Sequence, residues 1–255
     1  MNFENRAALV TGGGRGIGRA IALALAAQGA AVAVNYRAGK DEALALVGEI
    51  EESGGRAVAL QADVSDPAQA TALVAEATEA LGGLHVLINN AGITRNGLLW
   101  DMPADGWDHV MRVNFGGAYH CTRAVAEQFM RQGEGAIVNL SSVMGERGWP
   151  GQSNYAASKG ALNAFTRSTA IELARFGVRV NAVIAGIVPT GLVDDVLAQH
   201  GGAGMRKQIP LRRFATAEQV AAGVLFLAGP DASYVTGELM HIDGGLTAQL
   251  GMGHP

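Results

Sequence analysis

Residues Val10–Ala20 read VTGGGRGIGRA. A short apolar run, Ala7–Val10, leads into this stretch, and an Ala- and Leu-rich segment, Ile17–Gln28, leaves it. Glycines between a strand and a helix let the backbone turn tightly and approach an anion closely. The start of the helix adds unpaired N–H groups and the positive end of a dipole. The spacing is Thr11-Gly12-x-x-x-Gly16-x-Gly18 rather than G-x-G-x-x-G. Taken alone, the stretch is either a plain glycine-rich turn or a pyrophosphate cradle formed by Gly12, Gly14, Arg15, Gly16, Ile17 and Gly18.

The same strand-then-helix alternation runs along the chain. Strands are predicted at Ala31–Asn35, Ala57–Gln61, Val86–Asn89, Ala136–Leu140, Val178–Val183 and Leu239–Ile242. Helices are predicted at Asp41–Ser53, Pro67–Leu81, Ala104–Asn114 (continuing with breaks towards Met130), Ser153–Phe176 and Glu218–Leu227. The strands are short, β-branched and apolar on both faces, as parallel strands between two helix layers must be. The expected fold is α/β, a single-domain Rossmann fold over residues 1–255, with a doubly wound, seven-stranded, mostly parallel sheet flanked by helices. The least regular segment, Thr190–Arg213, holds Gly191, Gly201, Gly202 and Gly204 and reads as a substrate lid.

Composition narrows the function. With 49% hydrophobic and 16% charged residues the chain can bury a large core and is not disordered. A net charge of −4 argues against a nucleic-acid binder working through a basic surface. Cys121 is the only cysteine and the histidines lack ligand spacing, so no disulfide and no metal site are expected. The start, MNFENRAALV, has no basic-then-apolar leader, and no span long enough for a membrane follows. A cytoplasmic protein is expected.

The second strand ends in Asn35-Tyr36-Arg37, without the carboxylate that would accept hydrogen bonds from an adenine-ribose 2′-OH. Arg37, with Arg15 as a second guanidinium, suits a 2′-phosphate instead. NADP(H) is therefore expected over NAD(H); the alternative is that either arginine is simply solvated. Further on, Tyr155 and Lys159 stand one helical turn apart in SNYAASKG, residues Ser153–Gly160. An ammonium near a phenol favours the phenolate, lowering a pKa that is otherwise about 10. Such a phenol is poised for proton transfer. In isolation an ordinary helical Tyr/Lys pair is the simpler reading.

Several segments recur together. Thr11-Gly12-x-x-x-Gly16-x-Gly18, Asp63-Val64, Asn89-Asn90-Ala91-Gly92, Asn114, Ser142 and Tyr155-x-x-x-Lys159 stand in an order that resembles the short-chain dehydrogenase/reductase family, over essentially the whole chain. NNAGITRNGLL, with VTGE near the C-terminus, resembles the 3-oxoacyl-(acyl-carrier-protein) reductases of that family most closely. The resemblance implies that Tyr155 is the general acid in reduction and the base in oxidation. It implies that Lys159 lowers the tyrosine pKa and binds the nicotinamide ribose. Ser142 would hydrogen-bond the substrate carbonyl, and Asn114 would hold a helix open for a water that relays protons to Lys159. The resemblance assigns Asp63 and Val64 to the adenine, Asn90 and Gly92 to the adenosine-side ribose and backbone, and Val188 and Thr190 to the carboxamide. Asn89 is expected to tie strands together. Ala185 stands where the family usually has proline, which removes a φ restraint.

The implied reaction is NADPH-dependent reduction of a 3-oxoacyl thioester, linked to acyl carrier protein or coenzyme A, by a homotetramer. The alternative is a reductase or dehydrogenase of a free ketone or secondary alcohol. A non-catalytic NADP-binding protein would be expected to lack the tyrosine, lysine or serine. The pocket is expected from Val143–Pro150, Leu98–Met102 and Leu192–Met205, with Trp100, Met144, Trp149 and Met205 making it apolar. Arg131, Arg175 and Arg179 are the candidates for a basic surface that docks an acidic acyl carrier protein.

Overall fold

A computed structural model of the chain describes residues 2–191 and 202–249. Seven strands, β1 (Ala7–Val10), β2 (Ala31–Tyr36), β3 (Arg56–Gln61), β4 (Val86–Asn89), β5 (Gly135–Ser142), β6 (Val178–Ala185) and β7 (Leu239–Ile242), form one sheet in the order β3-β2-β1-β4-β5-β6-β7. Every pairing is parallel. The order reverses between β1 and β4, and in such sheets ligands bind beyond the carboxyl ends of the strands at that point.

Alternation within the strands explains why both faces are apolar. Ala8 and Val10 of β1 join a core with α1 (Gly16–Ala27), α2 (Lys40–Glu52) and the helix Ala217–Ala228. Ala7 and Leu9 face a second core with α3 (Pro67–Leu81), α5 (Gly117–Gln132) and α6 (Ser153–Ala174). Helix starts follow local chemistry. Asp66 accepts the N–H groups of Ala68 and Gln69 at 2.8 and 3.1 Å, with Pro67 in the first helical position of α3. Such a cap stabilises by about 1 kcal/mol.

Two strands outrun their sequence patterns. The predicted Ala136–Leu140 continues to Ser142, and Val178–Val183 continues to Ala185, because Ser141 pairs with Ile184 and Ser142 with Ala185. Two serines carry little strand preference of their own; the neighbouring strand extends them. Ala185 also pairs with Ile242, so the position without proline continues the ladder. The predicted helix from Ala104 opens midway: α4 (Ala104–Met111) passes through a π-helical turn, Arg112–Gly116, into α5.

The opposite end of the sheet carries a concavity of about 870 Å³, lined by Arg6, Arg56 and His85 among others. None of the residues singled out in the sequence reaches it. Among the described residues no helix is long and apolar enough to cross a membrane.

Candidate active site

The turn after β1 is built by glycine geometry. Gly12 and Gly16 have φ of +59° and +54°, where side chains are disfavoured. A Cβ on Gly18 would lie 2.4 Å from the Gly12 carbonyl oxygen and 2.6 Å from Asn90 Nδ2. Two asparagines hold this loop from either side. Asn90 Nδ2 donates to the carbonyls of Thr11 and Gly12 at 2.9 and 3.0 Å. On the other flank Asn35 Oδ1 accepts the Gly12 N–H at 3.2 Å, and the Asn35 carbonyl accepts the Gly13 N–H at 2.8 Å. Arg15, the N-cap of α1, makes no side-chain cap bond, so the first N–H groups of α1 are not capped by it. This cradle fits a dinucleotide pyrophosphate: tight glycine backbone leading to a helix N-terminus whose cap residue supplies no side-chain bond.

Beyond the loop, Arg37 Nη1 lies 3.7 Å from Asp63 Oδ2, and both side chains are partly exposed. Burial pushes the Asp63 carboxyl up, but hydrogen bonds from Ser65 and the Arg37 charge together hold it below its ordinary range. An exposed pair of this kind is worth little, so Arg37 can turn from Asp63 to a phosphate. Val64 is buried, and its Cγ2 would lie 2.7 Å from a Cβ on Gly117 of α5.

At the other end of the cleft, the loop after β5 lies on α6. A Cβ on Gly145 would lie 2.9 Å from the carbonyl carbon of Lys159. That contact brings Ser142 to the first turn of α6. Ser142 and Tyr155 line the same cavity, and Ser142 Oγ accepts the Met144 N–H at 3.2 Å. Ser141 bonds away from this pair, its hydroxyl donating to Asn163 Oδ1 at 2.6 Å. Lys159 Nζ lies 5.7 Å from the Tyr155 ring centroid and donates to the Leu140 carbonyl at 2.6 Å. Asn114, in the π-helical turn, accepts the Ile93 N–H at 2.8 Å and donates to the Ile93 carbonyl at 3.0 Å and to Ser158 Oγ at 3.1 Å. A Cβ on Gly92 would lie 3.5 Å from Asn114 Oδ1 and 3.8 Å from Lys159 Nζ, so Gly92 borders the space between them.

Burial dominates the electrostatics of Tyr155 and Lys159. Burial pushes the Tyr155 phenol up to about 12, against a lowering by the Ser142 hydrogen bond. Burial pushes the Lys159 ammonium down to about 8. Burial disfavours the charged form of each group, and Lys159 is anchored to the Leu140 carbonyl.

Asn90, Gly92, Ser142, Tyr155, Lys159, Val188 and Thr190 line one cavity of about 130 Å³, with Met144, Trp149 and Met205 as apolar walls. Thr190 also meets the glycine loop, its Cγ2 3.3 Å from where a Cβ on Gly16 would stand. Gly12, Gly14, Arg15, Gly16, Gly18, Arg37, Asp63, Val64 and Asn114 do not line this cavity; Ile17 does.

The family model described as enoyl-(acyl carrier protein) reductase matches residues 12–247. The chain belongs to the short-chain dehydrogenase/reductase family. A 3-oxoacyl-(acyl-carrier-protein) reductase FabG of Staphylococcus aureus is 45% identical over 241 residues, 94% of this chain and 98% of that protein. The short-chain reductase protein NovJ of Streptomyces niveus is 45% identical over 248 residues, 95% of this chain and 94% of that protein. A solved gluconate 5-dehydrogenase from Burkholderia cenocepacia, in complex with NADP and tartrate, matches with a TM-score of 0.93 at 33% identity, covering 98% of both chains.

For a short-chain dehydrogenase/reductase, two expectations about this site need revision. Trp100 is 79% exposed, and neither it nor Leu98, Leu99 or Met102 lines the cavity: the turn closed by the Asp101 N–H on the Leu98 carbonyl carries Leu98, Leu99 and Trp100 outward, and Met102 Sδ lies 3.9 Å from Ser153 Oγ. Arg179 is no docking residue: its guanidinium donates to the carbonyls of Leu227, Ala228 and Gly229 at 2.6, 3.1 and 3.0 Å, capping the helix Ala217–Ala228. Arg131 pairs with Glu127 one turn before it, and Arg175 stacks on Phe176. Of the expected lid, residues 192–201 lie outside the described residues; Met205, on the helix Gly202–Gln208, reaches the cavity.

Asn89 ties strands and helices as expected, donating to Asn139 Oδ1 at 2.9 Å and Thr122 Oγ1 at 3.1 Å. Two residues escaped sequence reasoning. Gln152 is buried and lines the cavity. Asn35 is 2% exposed at the glycine loop. Its signal was present as a lone amide inside the apolar run Ala31–Tyr36.

Proposed function

We propose that this oxidoreductase reduces a 3-oxoacyl thioester to the 3-hydroxyacyl thioester with NADPH. The observation that carries the chemistry is the convergence of Ser142, Tyr155 and buried Lys159 on one cavity. Two hydroxyls there converge on the place a ketone oxygen would take. The cofactor is NADP(H); when bound, it supplies the hydride. Its pyrophosphate would rest on Gly14–Gly18 and the start of α1, and its 2′-phosphate would meet Arg37 and Arg15. Ser142 would hold the ketone oxygen, and Tyr155 Oη would deliver the proton as the carbonyl carbon is reduced. Lys159 would restore charge balance beside the phenolate left behind. Asn114, Asn90 and Gly92 would shape the passage between Lys159 and the loop, and Val188 and Thr190 would abut the carboxamide. The thioester class rests on the likeness to the FabG relative.

A phenol held near 12 stays protonated at neutral pH, which suits proton donation and hence reduction. The Lys159 ammonium is lost as pH rises through about 8. The expected log kcat/KM for reduction is level near neutrality and falls above about 8. A profile flat to pH 10.5, the ordinary lysine value, would remove Lys159 from the step. Stability carries the opposite sign. The folded state binds fewer protons at Lys159 than the unfolded chain between about 8 and 10.5, so that contribution rises with pH across this window.

The thioester assignment is tested by NADPH absorbance with acetoacetyl thioesters of coenzyme A and of acyl carrier protein, beside free ketones. Turnover of thioesters in preference to ketones supports it. Turnover of free ketones alone supports the second reading, favoured by the likeness to a gluconate dehydrogenase. The proposal includes a cytoplasmic homotetramer, in which the exposed Tyr119 of α5 and Ile171 of α6 would lie at a subunit contact. Sedimentation velocity reads that state directly, and a monomer would refute it.

A further inference from the structure

We infer that Asn35 is a positioning residue for the cofactor, holding the pyrophosphate loop in register with the adenosine end of the site. Its amide is fully engaged. Oδ1 accepts the Gly12 N–H at 3.2 Å. Nδ2 lies 3.1, 3.3 and 3.4 Å from the carbonyls of Ala62, Leu60 and Tyr36. One side chain thus joins the glycine loop to the ends of β2 and β3, the segments that carry Arg37 and Asp63.

The arrangement has a polarity that only a carboxamide satisfies. The acceptor end meets an N–H; the donor end meets carbonyls. A carboxylate of the same shape would set an oxygen against the Ala62 and Leu60 carbonyls. A smaller residue would leave the Gly12 N–H and the Ala62 carbonyl without this partner in a buried place. The backbone adds a second tie, because the Asn35 carbonyl takes the Gly13 N–H at 2.8 Å. The N–H groups of Gly12 and Gly13 therefore point to Asn35 rather than to a phosphate. Gly12 belongs to the loop's shape, and phosphate binding falls to Gly14 onward.

Asn35 touches what both dinucleotides share, so its loss should weaken NADP+ and NAD+ by the same factor. Arg37→Ala, in contrast, should weaken NADP+ selectively. The test is fluorescence titration of Asn35→Asp and Asn35→Ser with both dinucleotides, alongside thermal melting. The expected result is a tenfold or greater loss for each cofactor with their ratio unchanged. A lowered melting point with unchanged affinities would make Asn35 a structural brace only and overturn the inference. So would a loss confined to NADP+. Should either variant fail to fold, amide exchange of the wild type decides. Gly12 and Gly13 should be protected without cofactor and stay so on adding NADP+, while amides of Gly16–Gly18 become slower. Free exchange of Gly12 and Gly13 before NADP+ is added would also overturn it.

Discussion

Tyr155→Phe lowers kcat for ketone reduction by roughly 10²–10⁴-fold, the usual worth of a positioned proton donor. The ring is kept, so the packing beside Lys159, 5.7 Å from the ring centroid, survives. What is lost is the hydroxyl that shares the cavity with Ser142 and whose pKa burial pushes up to about 12. Steady-state NADPH oxidation with saturating substrate reads the effect, and thermal melting shows whether the fold is intact. A folded variant that retains a tenth of the wild-type rate or more would mean that the proton comes from elsewhere. Stability should change by only about 1 kcal/mol, since one hydrogen bond is removed and nothing large is left unpaired.

Gly18→Ala should be the most damaging single methyl in the cofactor site. Its Cβ would stand 2.4 Å from the Gly12 carbonyl oxygen, 2.6 Å from Asn90 Nδ2 and 3.0 Å from Gly13 Cα. Two of these three atoms are backbone, so the loop itself must move. Moving it disturbs the Asn90 bonds to Thr11 and Gly12 on one side and the Asn35 bond to Gly12 on the other. Overpacking of this kind costs about 1–3 kcal/mol. The expected signature is a lower melting temperature together with at least a tenfold weaker NADP+ titration. Gly14→Ala is the internal control: its Cβ would meet Ala43 at 3.6 Å, an ordinary contact. Equal effects at Gly18 and Gly14 would contradict the close approach at Gly18.

Much of this site is legible in the primary structure because its parts are short and local. The Gly12–Gly18 turn, the Tyr155–Lys159 spacing and the serine ahead of them each lie on one element. Apolar runs bounded by glycine and polar residues place every strand within a few residues. The errors share a cause. Ser141 and Ser142 extend β5 only because β6 lies alongside. Trp100 has the composition of a pocket wall, yet a turn carries it into solvent. Arg179 has the charge of a docking residue, yet it folds onto a helix end 48 to 50 residues away.

The sequence alone determined the doubly wound sheet and the family, because periodicity and motif spacing are properties of neighbouring residues. Tertiary structure decided the rest. Asn35 meets Gly12 across 23 residues and Ala62 across 27, and no local pattern encodes either contact. The upward push on the Tyr155 phenol likewise comes from burial. Desolvation depends on everything packed around a group, and the spacing of two residues on one helix does not reveal it.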